Sequence, residues 1–347
     1  MRVDDFNFVL PDKLIAQTPL EHRDHSRLLV VHKDTGVLED RSFPAITDYL
    51  RPSDVLVLND TRVIPARLYG QNCRSGQCGS QKSGLVEVFL LRPFGHGQWE
   101  VLVKPGKKAR PGANIVFSPL LSCHVIDVTP SGDRLVEFEF SGDFDAILET
   151  LGETPLPPYI HEKIADPERY QTVYSKHSGS VAAPTAGLHF TPELLSSIEA
   201  LGVAIVPLTL HVGLGTFRPV KVDRVEDHIM HEEYYALTEA SAETINGRLR
   251  SGGRVFAVGT TSVRVLETLG DENGQVHAGS GWTNIFIYPG YRFKVVDCLL
   301  TNFHLPKSSL LMLVSAFADV RTIQEAYEHA ILERYRFFSF GDGMLLV

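Results

Sequence analysis

Three histidines lie in short polar segments that interrupt apolar stretches of the sequence: His189, His211 and His304. Because histidine changes its protonation near neutral pH, each of these segments is a candidate for proton transfer. Each histidine is also compatible with a structural role, in which a turn satisfies its ring nitrogens.

The segment around His211 contains two glycines, Gly213 and Gly215. Glycines at this spacing let a ligand approach the backbone closely. The pattern is not a dinucleotide-binding fingerprint, and Pro219 prevents a helix from starting at once.

Two adjacent hydroxyl residues, Thr260 and Thr261, follow Gly259 at the end of an apolar run. A helix is expected to begin here, and its first amides would suit an anion or a carboxylate. An ordinary threonine or serine N-cap explains the same pattern equally well.

Residues 227–233 carry His228, His231 and Glu232, which would share one face of a helix. This arrangement raises the question of a metal site, but the His-x-x-His spacing is one residue short of the zinc-protease pair. Acid–base chemistry is an alternative, and a solvated charged face is the interpretation that we favour. We therefore predict no metal site.

The polar segments follow apolar strands, which is where α/β folds place their ligands. Strands are expected at 54–61, 203–210 and 255–258. Helices are expected to begin at Thr191, at Thr238 and, from a capping box, at Thr322. This alternation indicates a large α/β (mixed α+β) domain.

Residues 86–142 instead show only strand patterns separated by Gly and Pro turns, after a Gly- and Ser-rich loop at 71–84. Such short strands predict a small antiparallel barrel or sandwich, inserted into the larger domain. We place the large domain at 1–61 plus 152–347 and the insert at 62–151. The expected strands are 86–91, 99–103, 115–117, 123–128 and 135–140.

The charge of the chain is uneven: 33 basic and 42 acidic residues give −9 over 347 residues, yet residues 62–151 carry ten basic and nine acidic ones. Four cations lie within seven residues of this insert: Lys104, Lys107, Lys108 and Arg110. Because screening confines exposed charges to about 8 Å, such a patch can bind phosphate despite the acidic total. A charged hairpin turn is the alternative.

Composition excludes several classes of protein. The 44% of apolar residues argues against a disordered chain, and the longest apolar run, at 310–318, is too short for a membrane span. The acidic amino terminus is unlike a signal peptide, and four cysteines are too few for a disulfide scaffold. We expect a cytoplasmic protein.

Six strings of residues lie along the chain in a characteristic order: LNDTRVIPARL (58–68), PTAGLHF (184–190), HVGLGTF (211–217), GTTSVR (259–264), TNFHLP (301–306) and YRFFSFGD (335–342). In these strings and their order the chain resembles, from end to end, the S-adenosylmethionine:tRNA ribosyltransferase-isomerases of queuosine biosynthesis, the QueA family. The loop at 73–84 is a departure that leaves the chemistry untouched.

The resemblance implies transfer and isomerisation of the ribosyl group of S-adenosylmethionine onto 7-aminomethyl-7-deazaguanine at the wobble position of tRNA. The product is epoxyqueuosine in tRNA, with adenine and methionine released. S-adenosylmethionine is then a consumed co-substrate, and no further cofactor is expected. The family also has a large α/β domain with an inserted β-barrel-like domain.

The resemblance also suggests roles for residues. His189, His211 and His304 would include the acid and the base, Arg218 or Arg264 would hold the methionine carboxylate, and Asp342 would pair with the ammonium or a ribose hydroxyl. The other expected substrate-binding residues are Thr185, Gly213, Gly215, Thr216, Thr260, Thr261 and Asn302. The expected tRNA-binding residues are Arg62, Arg67, Lys104, Lys107, Lys108 and Arg110.

Two other functions compete with this one. The first is a tRNA methyltransferase, although no Gly-x-Gly-x-x-Gly motif is present. The second is a non-catalytic RNA-binding protein, which would need the basic hairpin but not the polar segments. The chain contains no sustained heptad pattern, so we expect a monomer.

Overall fold

The computed structural model describes residues 1–73, 85–213 and 220–347, which form two compact units. The larger unit comprises Met1–Arg62, Pro157–His177 and Ala183–Val347, and the smaller one comprises Val63–Leu156 and Ser178–Ala182. Most of the loop predicted at 71–84 lies outside the described residues, as do three predicted substrate-binding residues: Gly215, Thr216 and Arg218.

The described strands are, in chain order, β1 (Arg27–Val31), β2 (Leu38–Ser42), β3 (Val55–Asn59), β4 (Thr61–Val63), β5 (Arg67–Cys73), β6 (Leu85–Gly95), β7 (Gln98–Lys104), β8 (Asn114–Ser118), β9 (Leu121–Val128), β10 (Arg134–Phe140), β11 (His177–Ser180), β12 (Ala204–Leu210), β13 (Glu233–Leu237), β14 (Val255–Val258), β15 (Gly279–Thr283), β16 (Cys298–Asn302) and β17 (Gly343–Leu346). The described α-helices are α1 (Phe144–Leu151), α2 (Pro192–Ala200), α3 (Glu239–Arg250), α4 (Gly259–Leu269), α5 (Ser309–Ala318) and α6 (Val320–Leu332).

The larger unit is built on a nine-stranded mixed sheet with the order β15-β13-β12-β3-β14-β16-β17-β1-β2. Strands β12, β3, β14 and β16 are parallel neighbours, so their carboxyl ends meet at one edge of the sheet. Strand β17 runs antiparallel to β16 and pairs Gly343 with Asn302, so its amino end lies at the same edge. β1 is parallel to β17 and also begins there.

Apolar side chains bury the central strands on both faces, as expected for parallel strands covered by helices. Every residue of β3, β14, β16 and β17 is buried. The core of this unit is formed by residues from the strands, from α2 and from two short 3-10 segments, among them Leu28, Phe43, Leu56, Phe190, Ile198, Phe256 and Leu300.

Side-chain caps set the starts of the helices. The predicted N-caps are confirmed for α2 and α3, where Thr191 accepts from the amide of Leu194 and Thr238 accepts from the amide of Ser241. The predicted start of the last helix at Thr322 is wrong. The N-cap of α6 is Asp319, whose carboxylate accepts from the amide of Thr322 at 3.0 Å.

The smaller unit contains a closed six-stranded antiparallel barrel with the order β10-β7-β6-β5-β8-β9. All five predicted strands are confirmed, and β5, which the sequence analysis did not identify, completes the closure. At Gly70 a Cβ atom would lie 2.7 Å from Cγ2 of Ile115, so glycine allows β5 and β8 to approach. The prediction of a large α/β domain with an inserted β-barrel is thus confirmed.

Residues 228–232 lie in neither a helix nor a strand, so the shared helix face that was considered for His228, His231 and Glu232 is not present. His228 instead packs edge-on against Phe286, with ring centroids 5.1 Å apart. In the described residues, no helix combines the length and apolar character needed to cross a membrane.

Candidate active site

The ends of the strands at this edge of the large sheet surround a cavity of about 620 Å³. Five of the predicted site residues line it: Thr185, Thr260, Thr261, Asn302 and His304. Further polar lining residues are Tyr159, Thr301, Ser308 and Ser339. The polar groups that line it are hydroxyls, an amide and an imidazole.

His189 is buried at the end of the short 3-10 helix Thr185–His189 and lies at the centre of a hydrogen-bond chain. Its Nδ1 lies 2.8 Å from Oγ of Ser26, and its Nε2 lies 3.2 Å from Nδ2 of Asn302. The Oδ1 atom of Asn302 accepts from the hydroxyl of Thr185 at 2.8 Å, so the amide donates to Nε2 and the histidine proton lies on Nδ1. His189 thereby orients two residues that line the cavity.

Burial and the nearby Arg336 and Arg23 lower the pKa of His189 to about 3. Its ring stacks on Phe43 with centroids 4.8 Å apart, which adds to the apolar surroundings. His189 is therefore a neutral imidazole at neutral pH.

His304 is buried beyond the end of β16 and lines the cavity directly. Its Nε2 lies 2.8 Å from Oγ1 of Thr301, and its backbone amide donates to the hydroxyl of Tyr327 at 2.8 Å. Burial lowers the pKa of His304 to about 3, so this imidazole is also neutral at neutral pH.

His211 lies just after β12, beside the cavity residue Val212. Its Nδ1 is 2.8 Å from Oγ1 of Thr61, and its ring stacks on Tyr234 with centroids 5.6 Å apart. Burial, followed by the charge of His177, lowers the pKa of His211 to about 4. His211 itself is not among the residues that line the cavity.

Helix α4 begins at the cavity without a side-chain N-cap. Its first residue, Gly259, has φ +84°, a left-handed conformation that favours glycine. Thr260 and Thr261 lie inside the first turn, so the alternative in which one of them is an ordinary N-cap does not hold. Oγ1 of Thr261 is buried and has no hydrogen-bond partner in the described part of the chain. The cavity therefore holds a hydroxyl that a ligand could satisfy.

Arg264, further along α4, does not line the cavity. Its guanidinium pairs with the buried carboxylate of Glu233 and donates to the carbonyls of Thr283 and Ile285 at 3.3 Å each. Oε1 of Glu233 accepts from the amide of Gly213 at 2.8 Å. The predicted carboxylate-binding role of Arg264 remains a prediction, whereas its observed contacts fix the backbone at Gly213.

Asp342 is buried just before β17, and its oxygens accept from the backbone amides of Arg27 and Arg336 at 2.9 and 2.8 Å. Burial raises the pKa of this carboxyl group. These bonds join the starts of β1 and β17. The substrate-binding role of Asp342 remains a prediction.

The predicted tRNA-binding cations occupy different settings. Lys104, Lys107 and Arg110 are exposed and Lys108 is half-buried. Arg134 braces their loop by donating to the carbonyls of Ala109 and Gly106, at 2.7 and 3.4 Å. Two further predicted cations are engaged with carboxylates: Arg62 pairs with Glu168, and Arg67 lies 3.4 Å from Glu87.

Several residues of the site were not predicted from the sequence. Ser26 lies 163 positions from His189, and no local pattern reveals this contact. The hydroxyls of Tyr159 and Ser339 are 2.7 Å apart at the cavity. Ser339 lies within the family-like string at 335–342, which was the signal available for it. Glu233 ends the segment 227–233, of which only His228, His231 and Glu232 were considered as site residues.

The fold and the site define an α/β enzyme whose ligand cavity is lined by hydroxyls and neutral imidazoles at the edge of its sheet. Residues 3–346 match the family described as "Queuosine biosynthesis protein". The chain belongs to the S-adenosylmethionine:tRNA ribosyltransferase-isomerase family of queuosine biosynthesis, as the resemblance indicated.

Its relatives match it over their full length. The protein named S-adenosylmethionine:tRNA ribosyltransferase-isomerase from Symbiobacterium thermophilum is 57% identical, and that from Acetivibrio thermocellus is 56% identical, with all of each chain covered. The crystal structure of an S-adenosylmethionine tRNA ribosyltransferase from Thermotoga maritima matches with 36% identity and a TM-score of 0.55, covering 99% of this chain and 100% of that one. The prediction of an enzyme of queuosine biosynthesis is thereby confirmed.

Proposed function

We propose that this chain transfers and isomerises the ribosyl moiety of S-adenosylmethionine onto 7-aminomethyl-7-deazaguanine at the wobble position of tRNA. The product is epoxyqueuosine in tRNA, and adenine and methionine leave. The observation that carries the proposal is the cavity at the sheet edge, in which a neutral imidazole lies among hydroxyl and amide groups in a full-length member of this family.

Proton removal is the first step that the residues must support. The sulfonium of S-adenosylmethionine acidifies the adjacent 5′ C–H, and loss of this proton gives an ylide. His304 is the general base in this proposal, because it lines the cavity as a neutral imidazole and Thr301 fixes its ring. Adenine then departs as the ribose ring opens, and the proton taken up by His304 can be returned to the adenine that leaves.

His189 has a positioning role in this proposal. Both of its ring nitrogens face protein partners, Ser26 and Asn302. Through Asn302 it aligns the hydroxyl of Thr185, and these two groups line the cavity where ribose hydroxyls would bind. His189 thus acts on the substrate through other residues.

The later steps need groups that accept and donate hydrogen bonds. The aminomethyl group must react as a free amine, which attacks the opened sugar after losing a proton. A sugar oxygen then displaces methionine and closes the epoxide. Thr260 and Thr261 face this space, and the unpartnered hydroxyl of Thr261 is available to the departing adenine or to a sugar oxygen.

We further propose that tRNA contacts the barrel through Lys104, Lys107, Lys108 and Arg110, with Arg62 and Arg67 as additional candidates. The three exposed cations and the braced loop support this assignment. The target base has to leave the stack to react. The absence of a further cofactor, the monomeric state and the cytoplasmic location belong to the same proposal.

Adenine release tests the reaction. The purified enzyme would be incubated with adenine-labelled S-adenosylmethionine and tRNA carrying the aminomethyl-deazaguanine, in the presence of EDTA and with no added cofactor. Stoichiometric free adenine and a matching gain in the mass of the tRNA base are expected. Methylated tRNA without adenine would instead indicate a methyltransferase, and tight tRNA binding without either product would indicate a non-catalytic RNA-binding protein.

A further inference from the structure

A second cavity, of about 310 Å³, lies beside His189 in the larger unit. Ser339 lines both cavities, and the hydrogen bond between His189 and Asn302 joins the wall of one to the wall of the other. The smaller cavity is also lined by Arg23 and Arg169. A ligand in the larger cavity therefore has a cationic space next to it.

The larger cavity has no arginine or lysine among its described lining residues. S-adenosylmethionine carries a carboxylate, and tRNA carries phosphates, so either substrate brings an oxyanion to this region. Arg264 is already paired with the buried Glu233. Among the described residues, a cation for this oxyanion therefore lies outside the lining of the larger cavity.

Arg23 and Arg169 line the smaller cavity, and the charge of Arg336 acts on His189, which also lines it. Carboxylates lie within electrostatic range of two of these arginines, Asp166 and Glu168 for Arg23 and Asp342 for Arg336. Arg23 donates to the carbonyls of Leu188 and Glu168, at 3.2 and 2.9 Å. Arg169 likewise donates to backbone carbonyls, those of Leu20 and Glu21, and Arg336 donates to that of Thr18. Within the described ranges, none of these three arginines forms an ion pair with a carboxylate. The carboxylate of Glu168 forms its ion pair with Arg62.

In the described residues, two of these arginines have an N–H group without a hydrogen-bond partner. Nε of Arg169 and Nη1 of Arg336 are buried and have no partner in the part of the chain that the structure describes. Burial and the charge of Arg169 lower the pKa of Arg23, and burial lowers that of Arg336. A bound anion would satisfy such donors and relieve the repulsion between the cations.

We propose that the cavity at Arg23 and Arg169 is an oxyanion subsite that holds either the carboxylate of the methionine part of S-adenosylmethionine or a phosphate of the tRNA. Guanidinium groups suit both because their planar donors match carboxylate and phosphate oxygens. This subsite rests on the proposed function, since it assigns a group of the same two substrates to a place next to the reaction cavity.

A binding experiment without substrates tests the cavity itself. Thermal unfolding would be followed with inorganic phosphate and with chloride at matched ionic strength. Phosphate is expected to raise the Tm of the wild type and of Arg248→Gln, but not that of the double variant Arg23→Gln/Arg169→Gln. Arg248 is a matched control because it also donates to a backbone carbonyl, that of Pro52. Equal phosphate effects in all three proteins would overturn the subsite.

Kinetics with both substrates identify the source of the oxyanion. Arg169→Gln is expected to raise the KM of one substrate, either S-adenosylmethionine or tRNA, by about tenfold, and to leave the KM of the other substrate within about twofold of its wild-type value. A tenfold increase is the loss expected for a hydrogen bond to a charged group. Arg169→Lys should recover part of this loss, and Arg23→Gln serves if the first variant does not fold. Unchanged KM values for both substrates would overturn the proposal.

The two sources give different patterns. If the carboxylate binds here, the KM for S-adenosylmethionine rises, and decarboxylated S-adenosylmethionine no longer distinguishes wild type from Arg169→Gln. If a phosphate binds here, the KM for tRNA rises and the salt slope of tRNA binding falls by about one. Failure of the proposed function is recognised separately, because the wild type would then release no adenine while the phosphate experiment would still report on the cavity.

Discussion

The histidines at the sheet edge are held as neutral imidazoles by burial, and each ring is fixed by a hydroxyl group. Ser26, Thr301 and Thr61 lie 2.8 Å from the rings of His189, His304 and His211 respectively. A fixed neutral ring accepts a proton without first having to lose one. This arrangement carries a cost in stability at acid pH.

The first prediction concerns that cost. The pKa of His189 is about 3 in the folded protein and about 6.5 when the chain unfolds, so the unfolded chain binds more protons between these values. Stability is therefore full above about pH 6.5 and falls as the pH is lowered through this window. At pH 5 the loss attributable to His189 is about 2 kcal/mol.

Denaturant unfolding at pH 7 and pH 5 measures this loss. When the pH is lowered from 7 to 5, the free energy of unfolding of His189→Asn should fall by about 2 kcal/mol less than that of the wild type. His161→Asn, a change at an exposed histidine, should keep the wild-type dependence. Identical pH dependence in His189→Asn and the wild type would contradict the prediction.

Two neighbouring hydroxyls of α4 give a second prediction. Thr261→Val removes a hydroxyl without an internal partner, so the free protein should lose little stability, whereas kcat/KM should fall by about tenfold. Ser262→Ala removes a hydroxyl that donates to the carbonyl of Val258 at 2.7 Å, so it should cost about 1 kcal/mol. Steady-state kinetics and thermal unfolding of both variants check the contrast, and an unchanged kcat/KM in Thr261→Val would refute it.

At the scale of elements, β12, β13 and α4 are tied together by the buried pair of Glu233 and Arg264. Glu233 begins β13, Arg264 lies on α4, and Gly213 follows β12. A buried charge that loses its partner is strongly destabilising, whereas removal of both charges is often tolerated. The pair therefore fixes the backbone next to His211 as long as both charges are present.

The third prediction follows from this pair. Glu233→Gln should lower the free energy of unfolding by about 3–5 kcal/mol, because Arg264 would be left buried with its charge unpaired. The double variant Glu233→Gln/Arg264→Met should recover part of this loss. Chemical denaturation of the single and double variants measures both values, and a double variant less stable than the single one would rule out the explanation.

Local sequence patterns predicted those strands and helices whose ends are marked by Gly and Pro turns or by N-cap residues. Gly and Pro turns marked β6 to β10, and Thr191 and Thr238 marked α2 and α3. Helix α5 was missed because nearly all its residues are apolar, so it shows no periodicity. The start of α6 was placed three residues late, because Thr322 and Glu325 fit a capping box while Asp319 supplies the cap.

The candidate site was predictable only in part. Thr260 follows the strand predicted at 255–258, and Asn302 ends the neighbouring parallel strand β16 in a polar segment between apolar stretches. The carboxyl ends of parallel neighbours lie at the same edge of a sheet, which brings these residues together. The contact of Ser26 with His189 and the grouping of Arg23 with Arg169 depend on tertiary packing between distant segments. No spacing in the sequence encodes them.

At the scale of the whole molecule, the chain is acidic, but its barrel carries a small cationic loop at residues 104–110. The fourth prediction is that neutralising Lys104, Lys107 and Arg110 together weakens tRNA binding and lowers its salt slope by about two to three. Neutralising three exposed cations of the larger unit, Lys13, Lys163 and Arg250, changes the net charge equally and should have a smaller effect. Binding isotherms over a range of salt concentrations compare them, and equal slopes in the two triple variants would show that the loop is only a solvated turn.

Strand β17 has a consequence for how the chain acquires its structure during synthesis. It lies inside the nine-stranded sheet, between β16 and β1, yet it is formed by Gly343–Leu346. On a ribosome, β1 would emerge more than 300 residues before the strand that it pairs with in parallel. Until β17 is synthesised, the β1–β2 hairpin has an unpaired apolar edge at β1. The barrel strands between residues 67 and 140, in contrast, can pair as they emerge. Nascent chains stalled before residue 343 should therefore contain a folded barrel, whereas their large sheet is still incomplete.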